Sequence, residues 1–214
     1  MRPRHNTAQW MGLPFAAAAI AAVIVLAVVG AGERGTDDAL IVSARISFLL
    51  FWPAYVGGPL VTLFGSAFQP LKRRGREFGL AFASAHTVHV GLVAWLCWIG
   101  ATPVVGDFAF FGIALVCMYL LALCSINRLR QVIGVIGWRF LRILGMNYIA
   151  FAFATDFMKF QRYDDLKFVL AYLPFTILSV VGPALVFASL MVPGEHAWGP
   201  AFPAWLLRFR RHHP

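Results

Sequence analysis

Long apolar stretches separated by short polar connections dominate the sequence. A membrane-spanning helix needs about twenty mostly apolar residues, because it rises about 1.5 Å per residue and must cross a hydrocarbon core about 30 Å thick. Six stretches reach or approach that length, so the pattern predicts an all-α integral membrane protein built as a six-transmembrane-helix bundle. The predicted spans are Leu13–Gly30, Leu40–Phe64, Phe78–Ile99, Asp107–Cys124, Phe140–Met158 and Leu166–Val192.

The composition supports this prediction. Hydrophobic residues make up 60% of the 214 residues and charged residues 13%, whereas about a quarter of the residues in soluble domains are charged. A soluble core of this size could not bury so much apolar surface. The first span follows Arg2 and Arg4, but it is longer than a signal-peptide core, and we interpret it as a retained signal anchor.

The basic residues predict the topology. Thirteen of the 18 Lys and Arg fall in the termini and in the connections that would share one side of a six-span chain. Because basic connections stay in the cytoplasm, both termini are predicted to be cytoplasmic and the chain to be a multi-pass protein of the inner (plasma) membrane. Residues 1–12 then form a cytoplasmic N-terminus, residues 13–192 the transmembrane domain and residues 193–214 a basic cytoplasmic tail.

The charge distribution and the short connections exclude several function classes. A net charge of +9 spread over connections is not the single basic face of a nucleic-acid-binding protein. No flavin-binding or nucleotide-binding motif occurs, so such chemistry would belong to a separate protein. The three cysteines lie within apolar segments and indicate neither a disulfide framework nor a zinc site.

Two histidines within the third span are the sharpest chemical signal. His86 and His89 are three residues apart and therefore lie on one face of a helix. Neutral imidazoles within a membrane suit a haem or metal ligand or a proton relay, or they form hydrogen bonds that stabilise helix packing. The first span has no polar group that needs a protein partner, so we expect it to lie at the periphery while the third to sixth spans surround the histidines.

Three other charged positions lie in or near the spans. Arg45 either anchors the second span at the interface or contacts an anion such as a haem propionate. Arg142 stands at the start of the fifth span and is a second candidate for a propionate contact. Asp156 either pairs with Lys159 on its own helix or takes part in a proton path.

Two segments carry a resemblance to a known family. The third span begins with RRGREFGLAFASAHTVHVGLV (73–93), and the fourth span leads into CSINRLRQVIGVIGWRFLRILGMNYIAFAF (124–153). Together they resemble the ferric reductase-like transmembrane domain family, over about residues 40–190. That family includes the haem-bearing membrane subunit of the periplasmic methionine sulfoxide reductase system and the membrane domains of NADPH oxidases.

The resemblance implies a six-helix bundle that binds b-type haem through histidines and passes electrons across the membrane. His89, ten positions after Gly79, matches the third-helix ligand, and His86 is a further candidate. The family's fifth helix carries two histidines, but the matching positions here are Arg142 and Thr155. The second axial ligand would then come from Met146 or from a partner subunit, or the haem has been lost.

Three functions follow as hypotheses. The first is a membrane electron-transfer subunit, at most the redox subunit of an oxidoreductase, that receives electrons from a separate cytoplasmic flavoprotein. The second is a cofactor-free family member that acts as a membrane assembly or interaction protein. The third is a small transporter or proton-conducting protein that uses His86, His89 and Asp156.

Overall fold

The computed structural model describes residues 7–126, 129–158 and 166–192. Within these ranges every regular element is a helix, and a short 3₁₀ turn, Ser66–Phe68, connects the second helix to the third. The predicted basic tail and the first half of the predicted cytoplasmic N-terminus lie outside the described residues. The helices are α1 (Thr7–Val29), α2 (Glu33–Phe64), α3 (Gln69–Arg73), α4 (Gly75–Trp98), α5 (Val105–Ile126), α6 (Leu129–Phe157) and α7 (Leu166–Met191).

Six of these helices, all except α3, are long and apolar enough to cross a membrane. The prediction of an all-α bundle of six membrane helices is thereby confirmed. Large apolar side chains cover its outer surface, including Leu13 on α1, Ile113 on α5 and Phe187 on α7, and this surface contacts the lipid of a multi-pass membrane protein. The side of the membrane on which the termini lie, and the identity of the membrane, stay predictions.

Two helices extend well beyond the predicted spans. α2 begins at Glu33 and α6 at Leu129, seven and eleven residues before the predicted starts at Leu40 and Phe140. Hydropathy locates the apolar part of a helix, whereas the backbone hydrogen bonds continue into polar sequence. α6 is kinked at Gly134, where φ is 69°, a left-handed conformation that glycine adopts without steric cost.

α2 is the central helix of the bundle and packs against α1, α4 and α7. A Cβ atom at Gly57 would lie 3.3 Å from the backbone of Leu71 in α3, so the glycine lets α3 fold back onto the end of α2. The sequence GGP at residues 57–59 therefore serves close packing. On the opposite side, Trp52 donates a hydrogen bond from Nε1 to the Leu178 carbonyl of α7 (3.0 Å).

α1 lies at the edge of the bundle, with most of its side chains facing outward. It packs along α4 instead of standing apart: Ser84 Oγ donates a hydrogen bond to the Met11 carbonyl (2.8 Å) and Trp95 Nε1 donates one to the Ala31 carbonyl (3.0 Å). Between these bonds, Ala22 of α1 is buried in a cluster that includes Leu92 of α4. The expectation of a peripheral α1 is confirmed, because most of its side chains face outward; what the sequence did not indicate is the close contact with α4, which alanines permit without any polar side chain on α1.

The close contact at Gly57 leads to a stability prediction. Gly57→Val should lower the free energy of unfolding by about 1–3 kcal/mol, because the added side chain meets backbone that cannot move aside cheaply. Gly91→Val is the matched control, since a Cβ at Gly91 meets no atom within 4 Å. Thermal unfolding of both purified variants in detergent measures the difference. Equal melting temperatures would contradict the close packing of α3 on α2.

Candidate functional site at the histidine pair

His86 and His89 lie side by side on one face of α4. Their rings stack with centroids 4.8 Å apart and an angle of 16° between the planes, as expected for two aromatic rings separated by about one helical turn. Both residues are only partly exposed. The sequence prediction that the two imidazoles share a helix face is confirmed.

His89 is oriented by a residue of α2. Ser43 Oγ lies 3.0 Å from His89 Nδ1 and donates a hydrogen bond to the Leu40 carbonyl of its own helix (3.0 Å). A hydroxyl has one proton, and Ser43 donates it to the Leu40 carbonyl. The imidazole is therefore the donor in the contact with Ser43, and Nδ1 bears the hydrogen. Nε2 of His89 then carries the lone pair.

His86 has a more apolar environment. Its Nδ1 is buried and has no hydrogen-bond partner among the described residues. Its ring lies 5.4 Å from that of Phe82, one turn earlier on α4, and 6.0 Å from that of Phe153 on α6. The buried Nδ1 of His86 thus lies beside aromatic rings, without the orienting hydroxyl that His89 has.

A cluster of phenylalanines fills the interior beside the histidines, and we call it the aromatic cluster. Its members come from α2, α4 and α6, all are buried, and each contacts at least two of the others with ring centroids 5.0–5.9 Å apart. They form the central part of the largest buried core of the bundle. The cluster consists of Phe48, Phe51, Phe82, Phe153 and Phe157.

One polar contact closes the cluster at the end nearer the start of α6. Tyr55 of α2 donates a hydrogen bond from its hydroxyl to Asn147 Oδ1 of α6 (2.8 Å), and Asn147 Nδ2 donates in turn to the Ile143 carbonyl (2.7 Å). Both side-chain groups are satisfied, so this pair stabilises the spacing of α2 and α6 without leaving a buried polar group unpaired. The interior from Tyr55 to the histidines is therefore occupied by protein atoms.

These residues do not fit a haem held by two axial ligands. Such a haem needs donors on opposite faces of the porphyrin, whereas the stacked rings of His86 and His89 project from the same side of one helix. The facing helix, α6, presents Phe153 to His86. Among the described residues no group of three or more His, Cys, Asp or Glu side chains could hold a metal ion either.

The other predicted site residues lie away from the histidines. Met146 precedes Phe153 by seven residues, or about 10 Å along α6, and Arg142 precedes it by eleven residues, or about 16 Å. Neither residue lies beside His86. The family has histidine at the positions of Arg142 and Thr155, and Thr155 is the one close along α6 to Phe153. The Thr155 hydroxyl donates a hydrogen bond to the Ala152 carbonyl (2.8 Å).

Arg45 also lies apart from the pair. Ser43 faces α4, where it meets His89, whereas the Arg45 guanidinium lies over the rings of Tyr172 and Phe175 on α7. Two residues along a helix correspond to a turn of about 200°, so these side chains leave α2 on nearly opposite sides. The structure therefore does not bring Arg45 to the histidines.

Sequence reasoning missed Ser43 and the aromatic cluster. Ser43 and Ser47 are both fully buried. Their spacing of four residues puts two serines on one face of a largely apolar helix, and this pattern was the available signal for a polar contact with a neighbouring helix. For the phenylalanines the sequence offered no signal, because aromatic residues are frequent along all the spans.

In comparisons with known proteins, no family model, no curated protein and no solved structure matches this chain.

The contact between Ser43 and His89 predicts one tautomer. In wild-type protein labelled with ¹⁵N-histidine, the NMR resonances of neutral His89 should be those of the Nδ1–H form, because Nδ1 donates to Ser43. Ser43→Ala should shift the balance toward the Nε2–H form, whereas Ser47→Ala, whose hydroxyl bonds to the Ser43 carbonyl, should leave it unchanged. A wild-type His89 in the Nε2–H form would contradict the assigned direction of this hydrogen bond, with Nδ1 as donor.

Proposed function

We propose that this chain is a cofactor-free membrane assembly or interaction subunit that resembles the ferric reductase-like transmembrane domain in architecture. The observation that carries the proposal is the aromatic cluster, which occupies the space between α2, α4 and α6 at the level of His86. Protein interiors are packed about as densely as organic crystals, and few voids exceed a water molecule. A porphyrin would enter only if several buried rings left their contacts together.

The ligand positions support the same proposal. The family's fifth-helix histidines correspond to Arg142 and Thr155, and the hydroxyl of Thr155 is already bonded to its own helix. Phe153, not a donor atom, faces the histidine pair. In this role His86 and His89 are packing residues of α4, and His89 joins α4 to α2 through Ser43.

A basic end of the bundle is the surface that suits a partner. Lys72, Arg73 and Arg74 are exposed where α3 leads into α4. Arg76 donates a hydrogen bond from Nε to the Ser125 carbonyl at the end of α5 (3.0 Å), which ties this segment to the bundle. A fixed group of exposed cations attracts an acidic protein surface and orients it.

One observation favours electron transfer as a second candidate. With Nδ1 donating to Ser43, the lone pair of His89 is on Nε2. A hydrogen bond of this kind from Nδ1 is what orients histidine ligands in metalloproteins. In this function a partner subunit supplies the second axial ligand, and a separate cytoplasmic flavoprotein supplies the electrons. His86 projects from the same side of α4 as His89, and Arg45 lies over rings of α7, so neither completes such a site within one chain.

One experiment separates the two candidates. The chain is expressed in haem-replete cells, extracted with its surrounding lipid into polymer-bounded discs, and measured by absorption spectroscopy and native mass spectrometry. We expect no Soret band in the oxidised or the dithionite-reduced sample, because the interior has no room for the porphyrin. We also expect a complex heavier than one chain, which Lys72→Glu, Arg73→Glu and Arg74→Glu together should dissociate.

The matched control for the basic surface is a triple change to Gln at positions 72, 73 and 74. Three changes on the lipid-facing side of α1, Leu13→Glu, Ile20→Glu and Ile24→Glu, would not serve as the control, because charges at these exposed positions would disturb insertion into the membrane. Neutral residues should weaken the complex less than acidic ones. A Soret band that disappears in His89→Ala would overturn the cofactor-free proposal in favour of electron transfer. A haem-free protein that is strictly a single chain would contradict both candidates.

A further inference from the structure

Arg45 is a cation within a membrane helix whose surroundings the proposed function does not explain. Its guanidinium carbon lies 4.6 Å from the centroid of the Tyr172 ring and 5.3 Å from that of Phe175, both on α7. Arginine within the membrane is costly and is found paired with an anion or open to water. The faces of two aromatic rings attract the cation, but they do not provide a counter-charge.

No acidic residue supplies that charge within the described parts of the chain. Arg45 forms no ion pair there, and its Nε is buried without a hydrogen-bond partner. The preceding acidic residues of its own helix, Asp37 and Asp38, lie about 10–12 Å away along the axis. Asp156 of α6 has an interaction of its own. Among the described residues, the guanidinium is held by two aromatic rings and meets no acidic side chain.

The aromatic contacts fix the position of Arg45. Phe175, which lies under the guanidinium, also packs against Phe48 and Phe157, with centroids 6.3 Å and 5.5 Å apart. Arg45 thus lies at the end of the aromatic cluster that is nearer the start of α2. The ring beneath its guanidinium is held in position by the cluster. Arg45 is only partly buried, so its remaining donors are reachable from the seam between α2 and α7.

We propose that Arg45, Tyr172 and Phe175 form an oxyanion-binding site at the seam between α2 and α7. The planar guanidinium offers parallel N–H donors that match two oxygens of a phosphate group. The ligand is a phosphate-type oxyanion, supplied either by the headgroup of a membrane lipid or by a free anion. The site is separate from the histidine pair, because Arg45 and Ser43 leave α2 on opposite sides.

The test measures the melting temperature of the delipidated full chain in detergent after three additions. These are phosphatidylglycerol, diacylglycerol (which has the same acyl chains but no phosphate), and inorganic phosphate against chloride at equal ionic strength. We expect phosphatidylglycerol or inorganic phosphate to raise the melting temperature by several degrees and diacylglycerol to have no such effect. The addition that stabilises identifies the source of the oxyanion.

Arg45→Gln should abolish this stabilisation. Arg34→Gln is the matched control, because Arg34 belongs to the same end of α2 and is exposed, and it should retain the effect. Arg45→Lys keeps the charge but lacks the planar pair of donors, so it should bind the stabilising probe about tenfold more weakly. Native mass spectrometry or a titration of the melting temperature measures this affinity.

Two results would overturn the proposal: equal stabilisation of wild type and Arg45→Gln, or no stabilisation of wild type by either phosphate-bearing probe. Should Arg45→Gln fail to fold, Arg45→Lys decides, and an unchanged affinity in that variant would count against the site.

Discussion

The contact of Phe153 with Phe82 and His86 is the constraint on which the rest of the structure depends. It is where α6 meets α4, and through the same ring α6 also meets Phe48 and Phe51 of α2. Three helices therefore keep their spacing through one buried side chain and its neighbours. Because the rings fill this space, His86 faces Phe153 instead of a ligand from the opposite helix.

Polar side chains lie on both sides of α2. On the side of α4, Ser43 orients His89. On the side of α7, Trp52 bonds to the backbone and Arg45 lies over two aromatic rings. These polar groups are thus supported by a neighbouring helix, whereas His86 Nδ1, Arg45 Nε and Glu77 Oε2 are buried without a hydrogen-bond partner among the described residues. Ionisable groups within a membrane are functional candidates by default, and Arg45 lies at the oxyanion site proposed above.

The sequence predicted the helices far better than it predicted their contacts. Hydropathy locates apolar stretches because bilayer thickness sets their length, and the two histidines were placed on one face by helical geometry alone. The packing of α1 on α4 was missed, since Ala18 and Ala22 appear in the sequence as lipid-facing residues until α4 is seen beside them. Likewise, nothing in the spacing of Phe48, Phe82 and Phe153 indicates that helices far apart in sequence would bring these rings together.

The most direct test of this account is a cryo-EM map of the chain, purified from haem-replete cells and enlarged with a rigid antibody fragment. The account predicts that side chains alone explain the density between α2, α4 and α6, with Phe153 packed against Phe82 and the two imidazoles stacked beside it. Planar density of porphyrin size bound to His89 Nε2, with Phe153 turned away from α4, would contradict it.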